Sequence, residues 1–399
     1  MHCTRNITDS LIFVGADTRR LSLFEAVYKV PSGMAYNAYL LKDGKTALFD
    51  TVDWSVAERF FENLEYALSG KALDFVVVQH MEPDHSATLF ELLKRYPETT
   101  VVCNKKTLPM IKQFFGTPDK VLTVQEGDIL SLGEHKIQFF LAPMVHWPEV
   151  MVSFDFTEGT LFSADAFGNF GATNGAIFAD EVDFERDYLD EARRYYTNIV
   201  GKYGLQVEAL LKKAGGLSIR RICPLHGHIF RGDFGLLLEK YKLWASYTPE
   251  VRGALIIYAS VYGNTENAAI AVATALRERG VVTEVFDVSV TESSDLIAEA
   301  FKYSHIVLAS PTYNSGVFVK MEDFLNDLVS HSVKGRRYAM IDNGTWAPTA
   351  GRQMAERVLQ IKDSTVLDAH LSIRSSLTKE DEEALIAFSE AVAEDIKTL

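Results

Sequence analysis

Cysteine is scarce. Cys3, Cys103 and Cys223 are the three in a chain of 399 residues, and no two of them stand as C-x-x-C. That excludes a disulfide framework and a four-cysteine zinc or rubredoxin-type iron site within the chain, and it fits a reducing cytosol. No apolar run approaches the roughly 18 residues of a membrane span. The opening MHCTRNITDS lacks the apolar centre of a signal peptide. A cytoplasmic protein is therefore expected. Basic residues are in the minority: 40 Lys and Arg against 54 Asp and Glu leave a formal net charge of −14. Such a chain has no overall attraction for nucleic-acid phosphates or for an anionic membrane, so neither is an expected partner. Repeats and low-complexity segments are missing too. The rest is ordinary globular composition, 47% hydrophobic and 24% charged, at a length suggesting about two to three domains.

A boundary is predicted at Ser246–Gly253, SYTPEVRG, where a helical stretch (Phe234–Ala245) meets a Pro-containing turn and an apolar strand follows. This gives domains over 1–250 and 251–399. In the first, Ala47–Phe49 and Phe75–Val78 read as buried strands and Lys136–Leu141 alternates apolar and polar. Val150–Phe156 and Thr160–Phe162 flank a Glu158-Gly159 turn. Asp183–Lys213 is predicted helical with a break near Gly201–Gly204. In the second domain, strands are predicted at Ala254–Ala259, Val282–Val288, His305–Ser310, Arg337–Ile341 and Thr365–Ile373. Helices alternate with them at Thr265–Arg279, Asp295–Tyr303, Met321–Val329, Ala350–Ile361 and Lys379–Lys397. Alternation at this spacing predicts a doubly wound parallel sheet, which binds ligands at the carboxyl ends of its strands.

The strand ending at Gln79 runs straight into His80-Met-Glu82-Pro-Asp84-His85. Pro83 and the polar run predict a loop rather than a regular helix there, letting alternate side chains converge. Three further candidates also follow strand-like runs: His146 after Val145, Asp165 after Ala164 and His226 after Leu225. Burying four imidazoles and three carboxylates without a cation is costly. The seven can saturate two divalent ions and leave positions open, and Asp165, with two oxygens, can bridge. His2, His135, His305, His331 and His370 stand outside this pattern and read as ordinary surface or core residues.

The loop resembles the H-x-H-x-D-H of the metallo-β-lactamase superfamily, with Glu82 in place of the second His. A carboxylate there hardens the site and favours iron over zinc. H-x-E-x-D-H is the loop of the flavodiiron proteins (A-type flavoproteins). His146-Trp147-Pro148-Glu149, Ser163–Gly168 and Pro224–Gly227 are similar to that family's other ligand segments. The resemblance implies that His80, Glu82 and His146 hold one iron, that Asp84, His85 and His226 hold the other, and that Asp165 bridges them. It also places Trp147, Tyr195 and Phe24 at the substrate pocket, where ordinary core packing is the competing role. Glu25 stands where some members have a pocket histidine. His228, where the family often has proline, reads as a surface residue or one behind the ligands.

In the second domain the first strand leads into Ser260-Val-Tyr262-Gly263-Asn264-Thr265 and then a helix. Backbone N–H groups and hydroxyls at a helix start cradle a phosphate without Lys or Arg. The loop is neither G-x-G-x-x-G nor a Walker loop. The third strand ends in Pro311-Thr312-Tyr313-Asn314-Ser315-Gly316, the fourth in Asn343-Gly344-Thr345-Trp346-Ala347. Small residues let amides approach a ring edge, and Tyr313 and Trp346 offer flat faces. Loops after strands one, three and four match a flavodoxin with FMN at its switch point.

The resemblance covers essentially the whole chain. It implies a metallo-β-lactamase-like αββα sandwich with two iron ions, then a flavodoxin-like α/β domain with FMN. It further implies an oxidoreductase that reduces dioxygen to water, nitric oxide to nitrous oxide, or both. No rubredoxin or nicotinamide module is visible, so a separate donor is expected, a rubredoxin or a reduced deazaflavin. A head-to-tail homodimer or a dimer of dimers is expected as well. The competing class is a binuclear zinc hydrolase with an appended flavodoxin domain, which Glu82 and the flavin loops disfavour.

Overall fold

The computed structural model describes residues 1–399. Two compact units, Met1–Lys242 and Leu243–Leu399, divide within the helix Gly235–Ala245. No helix is long and apolar enough to cross a membrane.

The first unit is built on two sheets of seven and six strands. In the seven-stranded sheet, Thr46–Phe49, Phe75–Val77, Thr100–Asn104 and Val121–Val124 run parallel, while Leu11–Phe13 and Tyr39–Lys42 complete an antiparallel flank. Thr46–Phe49 and Phe75–Val77 are buried throughout, which is why they are continuous apolar runs rather than alternating ones. Phe13, Tyr39, Phe49 and Val77 from this sheet share one core with Phe139, Met151, Phe162 and Cys223 from the other. At its centre Phe49 stacks on Phe162, ring centroids 3.7 Å apart. Burial stabilises each such ring by about 1.5–3 kcal/mol.

Candidate ligands leave the sheets where these strands end. Thr160–Phe162 is parallel to Arg221–Cys223 with Phe162 opposite Cys223, so the chain delivers Asp165 and His226 side by side. Met151 N–H bonds the Gln79 carbonyl, bringing the His80 segment to the same end.

One expectation needs correction and another needs an addition. The segment after Glu82 is not a loop: Pro83–Ser86 is one helical turn with Pro at its first position, where its missing N–H costs nothing. The turn carries Asp84 and His85 to one side of the centre while Glu82, still extended, goes to the other. The helical stretch from Asp183 breaks where expected, at the 3-10 turn Gly201–Tyr203, and is interrupted before it as well. Leu189–Tyr195 passes directly into a π-helical turn, Tyr196–Val200, before Gly204–Ala214 resumes α geometry. Such turns mark functional sites in many helices.

The second unit is a five-stranded parallel sheet in the order Val282–Asp287, Val251–Tyr258, Tyr303–Tyr313, Arg337–Asn343, Thr365–Ile373, that is 2-1-3-4-5. The third strand continues beyond the predicted Ser310 into a small hairpin, Thr312 opposite Val317 and Tyr313 opposite Gly316. Asn314 and Ser315 turn it with φ of 50° and 63°. Ala268, Ala269, Val272 and Leu276 of the helix Asn264–Glu278 cover Ile256, Val307 and Ile341 of the sheet.

At the opposite, amino-terminal end of the sheet, Arg336 is fully buried. Its guanidinium donates to four carbonyls: Ala300 at 2.8 Å, Phe301 at 2.5 Å, Lys334 at 2.8 Å and Tyr247 at 2.7 Å. Ala300 and Phe301 end the helix Ser293–Lys302, whose last carbonyls have no intrahelical donors. Burial pushes Arg336 down to about 10, so it stays charged at neutral pH.

Cys103 and Cys223 are buried within strands, and Cys3 is exposed. Burial pushes the Cys103 thiol up to about 12 and that of Cys223 higher still.

Candidate functional site

The seven residues converge. His80, Glu82, His146 and Asp165 present ligand atoms within 4.8 Å of one another, and so do Asp84, His85 and His226. In the first set Glu82 Oε2 lies 3.2 Å from His80 Nε2 and 2.9 Å from His146 Nε2. Asp165 Oδ2 lies 3.2 Å from each of the same nitrogens. In the second set Asp84 Oδ2 is 3.3 Å from His85 Nε2 and 3.1 Å from His226 Nε2. Asp165 turns its other oxygen, Oδ1, to this set, 3.1 Å from His85 Nε2 and 3.8 Å from His226 Nε2. One carboxylate therefore addresses both sets with different atoms.

The geometry fits cations. Asp84 Oδ1 and Oδ2 and Asp165 Oδ1 are buried without a hydrogen-bond donor, an arrangement expensive to leave uncompensated. His85 and His226 aim their Nε2 atoms at each other across 3.0 Å. Burial alone would raise Asp165, but His80, His85 and His146 hold its carboxyl well below the usual range. Glu82 is held at about 2 in the same way, chiefly by His146 and His80 against the effect of burial. Burial opposes charge on His146 as well, yet Asp165 and Glu82 lift it to about 9. The carboxylates thus demand positive charge, which two divalent ions would supply.

Around this set, His80 Nδ1 meets Glu149 Oε1 at 2.8 Å and His226 Nδ1 meets the Ala35 carbonyl at 2.8 Å. The Trp147 ring stands edge-on to His80, centroids 5.4 Å apart. Tyr195, Phe24 and Tyr36 surround the His226 ring at 5.5, 5.3 and 5.6 Å. Tyr36 and Glu149 had no assigned role in the sequence. Tyr36 lay in an unremarkable run, and Glu149 acts through an imidazole 69 residues away. Glu25 sits at the turn of the Leu23–Lys29 hairpin, and the packing around its carboxyl, with repulsion from Glu82, pushes it up to about 7. His228 is fully buried, its ring against Tyr188 at 4.3 Å, so it is not a surface residue; burial pulls it down to about 4. The other histidines have partners elsewhere: His2 stacks on Tyr66, and His135, His305, His331 and His370 face Asp155, Asp395, Asp327 and Asp342.

In the second unit a cleft of about 710 Å³ opens at the carboxyl ends of the strands. Ser260, Tyr262, Asn264, Thr265, Pro311, Thr312, Tyr313, Asn314, Asn343, Gly344, Trp346 and Ala347 line it. Gly263 and Gly316 stand behind the lining. Gly263, at φ 89°, starts the helix Asn264–Glu278 and donates its N–H to Ser260 Oγ at 3.0 Å. Gly316 closes the hairpin opposite Tyr313. Asn343 ties the walls together, its Nδ2 donating to the Ser375 carbonyl and its Oδ1 accepting the Ser375 N–H, each at 3.0 Å. Arg352, Gln353 and Ser375 also line the cleft; they follow the signature loops on a helix and after the last strand, where no pattern marked them. Tyr262 and Trp346 are 91% and 89% exposed at the mouth. The volume, the hydroxyl- and amide-rich floor at a helix start and the flat faces of Tyr262, Tyr313 and Trp346 fit a flavin mononucleotide.

Comparison with known proteins agrees with both halves. A family model described as ODP family beta lactamase matches residues 34–227, and a flavodoxin model matches 256–388. A nitric oxide reductase of Moorella thermoacetica is 31% identical, over 89% of this chain and 90% of its own length. An anaerobic nitric oxide reductase flavorubredoxin of Vibrio vulnificus is 30% identical, over 86% of this chain and 70% of the relative. Among solved structures, rubredoxin oxygen:oxidoreductase of Desulfovibrio gigas superposes with a TM-score of 0.93 at 27% identity, covering 99% of each chain. A flavo di-iron protein of Thermotoga maritima gives 0.90 at 25% identity, covering 98% of each. With a β-lactamase-like unit that gathers seven candidate metal ligands, Asp165 among them, and a flavodoxin unit with a flavin-sized cleft, the chain belongs to the flavodiiron protein family.

Proposed function

We propose that this protein is a reductase of dioxygen, nitric oxide or both, acting at two irons held by the seven residues and fed by FMN in the flavodoxin cleft. The observation that carries this is Asp165, whose two oxygens face two ligand sets in a chain that also has a flavin-sized cleft. Two ferrous ions would supply two electrons and a reduced flavin two more, enough to take dioxygen to two waters, whereas coupling two nitric oxides needs only two. The chain's own residues do the rest. Asp165 fixes the spacing of the two sets. Trp147, Phe24, Tyr36 and Tyr195 wall the imidazoles with apolar rings and exclude bulk water. In the cleft, Ser260, Asn264 and Thr265 would hold the phosphate, and Tyr313 and Trp346 the ring system. Purified protein should contain about two irons and one FMN per chain, and zinc in excess of iron after growth in iron-replete medium would overturn this. Steady-state rates with both gases and one reduced donor rank the substrates.

Glu82 makes the first set richer in oxygen than a zinc hydrolase's. Glu82→His should shift bound metal from iron to zinc and lower reductase activity about tenfold or more, with FMN content unchanged. Full activity with iron retained would remove the role given to the carboxylate.

A separate protein, a rubredoxin by analogy with the Desulfovibrio enzyme's name, delivers the electrons. NADH alone should reduce the flavin slowly, and a rubredoxin with its reductase should restore turnover; fast direct oxidation of NADH would exclude this.

The working unit is a head-to-tail dimer, the flavin of one chain serving the irons of the other. Apolar side chains exposed at both mouths support it: Val261, Tyr262 and Trp346 at the cleft, Leu23 and Val27 on the hairpin beside the metal set.

A further inference from the structure

The two ligand sets carry the same formal charge, one terminal carboxylate each, Glu82 and Asp84, besides the shared Asp165. They differ in what stands behind the imidazoles. His80 Nδ1 is 2.8 Å from Glu149 Oε1, and the Glu149 side chain has no solvent exposure. The same oxygen accepts the Met81 N–H at 2.9 Å. Glu149 Oε2 has no partner. Asn104 Nδ2 donates to the Glu149 backbone carbonyl at 2.5 Å and so holds the main chain that carries the carboxylate. On the other side, His226 Nδ1 has only the neutral Ala35 carbonyl, and His85 Nδ1 has no partner. Asp50, a further fully buried carboxylate, acts on His85 of the other half through space but makes no orienting hydrogen bond to a ligand imidazole. Its oxygens are taken by the Gln79 N–H and Nε2 and by the backbone N–H of His80, with no ligand imidazole among them.

An imidazole that donates to a carboxylate is a stronger metal ligand than one that donates to a carbonyl or to nothing, and its ring is held in one orientation. We propose that Glu149 makes the two halves of the centre unequal, so that the His80–Glu82–His146 half takes its metal ion first and holds it more tightly than the Asp84–His85–His226 half. Glu149 is here a positioning residue, acting through His80, and the proposal rests on the seven residues forming a two-ion centre.

The experiment uses FMN-loaded full-length protein stripped of metal and titrated anaerobically with ferrous iron against a competing chelator. Two dissociation constants at least about tenfold apart are expected. Crystals grown with one equivalent of ferrous iron should show, by anomalous diffraction at the iron edge, occupancy in the His80 half. Equal occupancy, or iron in the other half alone, overturns the inequality while leaving the two-ion centre standing; no iron uptake at all overturns both. Glu149→Gln should weaken the tighter constant about ten- to a hundredfold and leave the weaker one unchanged, and Glu149→Asp should recover part of the loss. A merely structural role for Glu149 would weaken both constants together. If Glu149→Gln fails to fold, judged by circular dichroism, the wild-type occupancies decide.

Discussion

Two inactive variants of this protein should make an active one. His85→Ala with His226→Ala removes two of the three residues of one metal set, and Asn264→Tyr with Thr265→Phe fills the floor of the flavin cleft. Each homodimer should lack turnover, the first for want of irons and the second for want of FMN. In a purified heterodimer with head-to-tail exchange, one cross-chain pairing joins an intact cleft to an intact metal centre, and the other joins two damaged ones. Two-fold symmetry then returns about half the wild-type activity per dimer. If electrons passed within one chain, neither chain would have both parts and nothing would return. Metal and flavin analysis of each homodimer checks that each variant lost only its intended group. Activity in heterodimers of confirmed composition decides between the two routes.

Arg336→Ala should destabilise the flavodoxin unit by about 4 kcal/mol, a loss at the upper end for one substitution. The side chain satisfies four carbonyls at once, two of them at the end of the helix Ser293–Lys302. Each buried acceptor left without its donor costs about 1–3 kcal/mol, and water entering the vacated space recovers part of the total. Arg336→Met separates the charge from the hydrogen bonds. It fills most of the volume and removes the buried cation yet still orphans the carbonyls, so it should remain clearly destabilised. Arg336→Lys keeps a charge but not the planar fork and should fall between. Denaturant unfolding followed by far-ultraviolet circular dichroism reads the loss. FMN affinity under native conditions should change little, because the cleft lies at the other end of the strands. A change below about 1 kcal/mol in Arg336→Ala would mean that the four carbonyls find other donors.

Much of this was legible in the sequence because the chemistry sits in short loops behind strongly apolar strands. His80–His85 could be read at once: four potential ligands in six residues after a buried strand have no cheap explanation without a cation. The flavin loops were legible for a related reason, since small and hydroxylated residues recur after successive strands of an alternating α/β pattern. The places where the sequence fell short share a different physics. Leu11–Phe13 and Tyr39–Lys42 are strands of three and four residues, too short to display a period, and they form because a neighbouring strand offers them hydrogen bonds. Pro83 pointed to a loop because proline breaks helix interiors, but it stands at a first position, where it begins a turn instead. The π-helical turn after Tyr195 has no glycine or proline to announce it. Glu149 was visible as a residue and invisible as a function, because its partner His80 comes into reach only once both sheets have formed. Arg352 and Ser375 reach the cleft from a helix and from the loop after the last strand, outside every short motif.

The scarcity and placement of sulfur bear on how long such a molecule lasts. Oxidants attack thiolates rather than thiols, and a cysteine once driven to sulfinic acid is, with rare exceptions, not repaired. Cys103 and Cys223 stay protonated at any physiological pH and lie inside strands that solvent does not reach. Cys3, beside the Arg59 guanidinium at 3.3 Å, is the one thiol at the surface. A reductase of dioxygen works next to its own most damaging reagent. Here the one thiol within that reagent's reach is Cys3, ahead of the first strand, and the two cysteines inside the sheets are withheld from it.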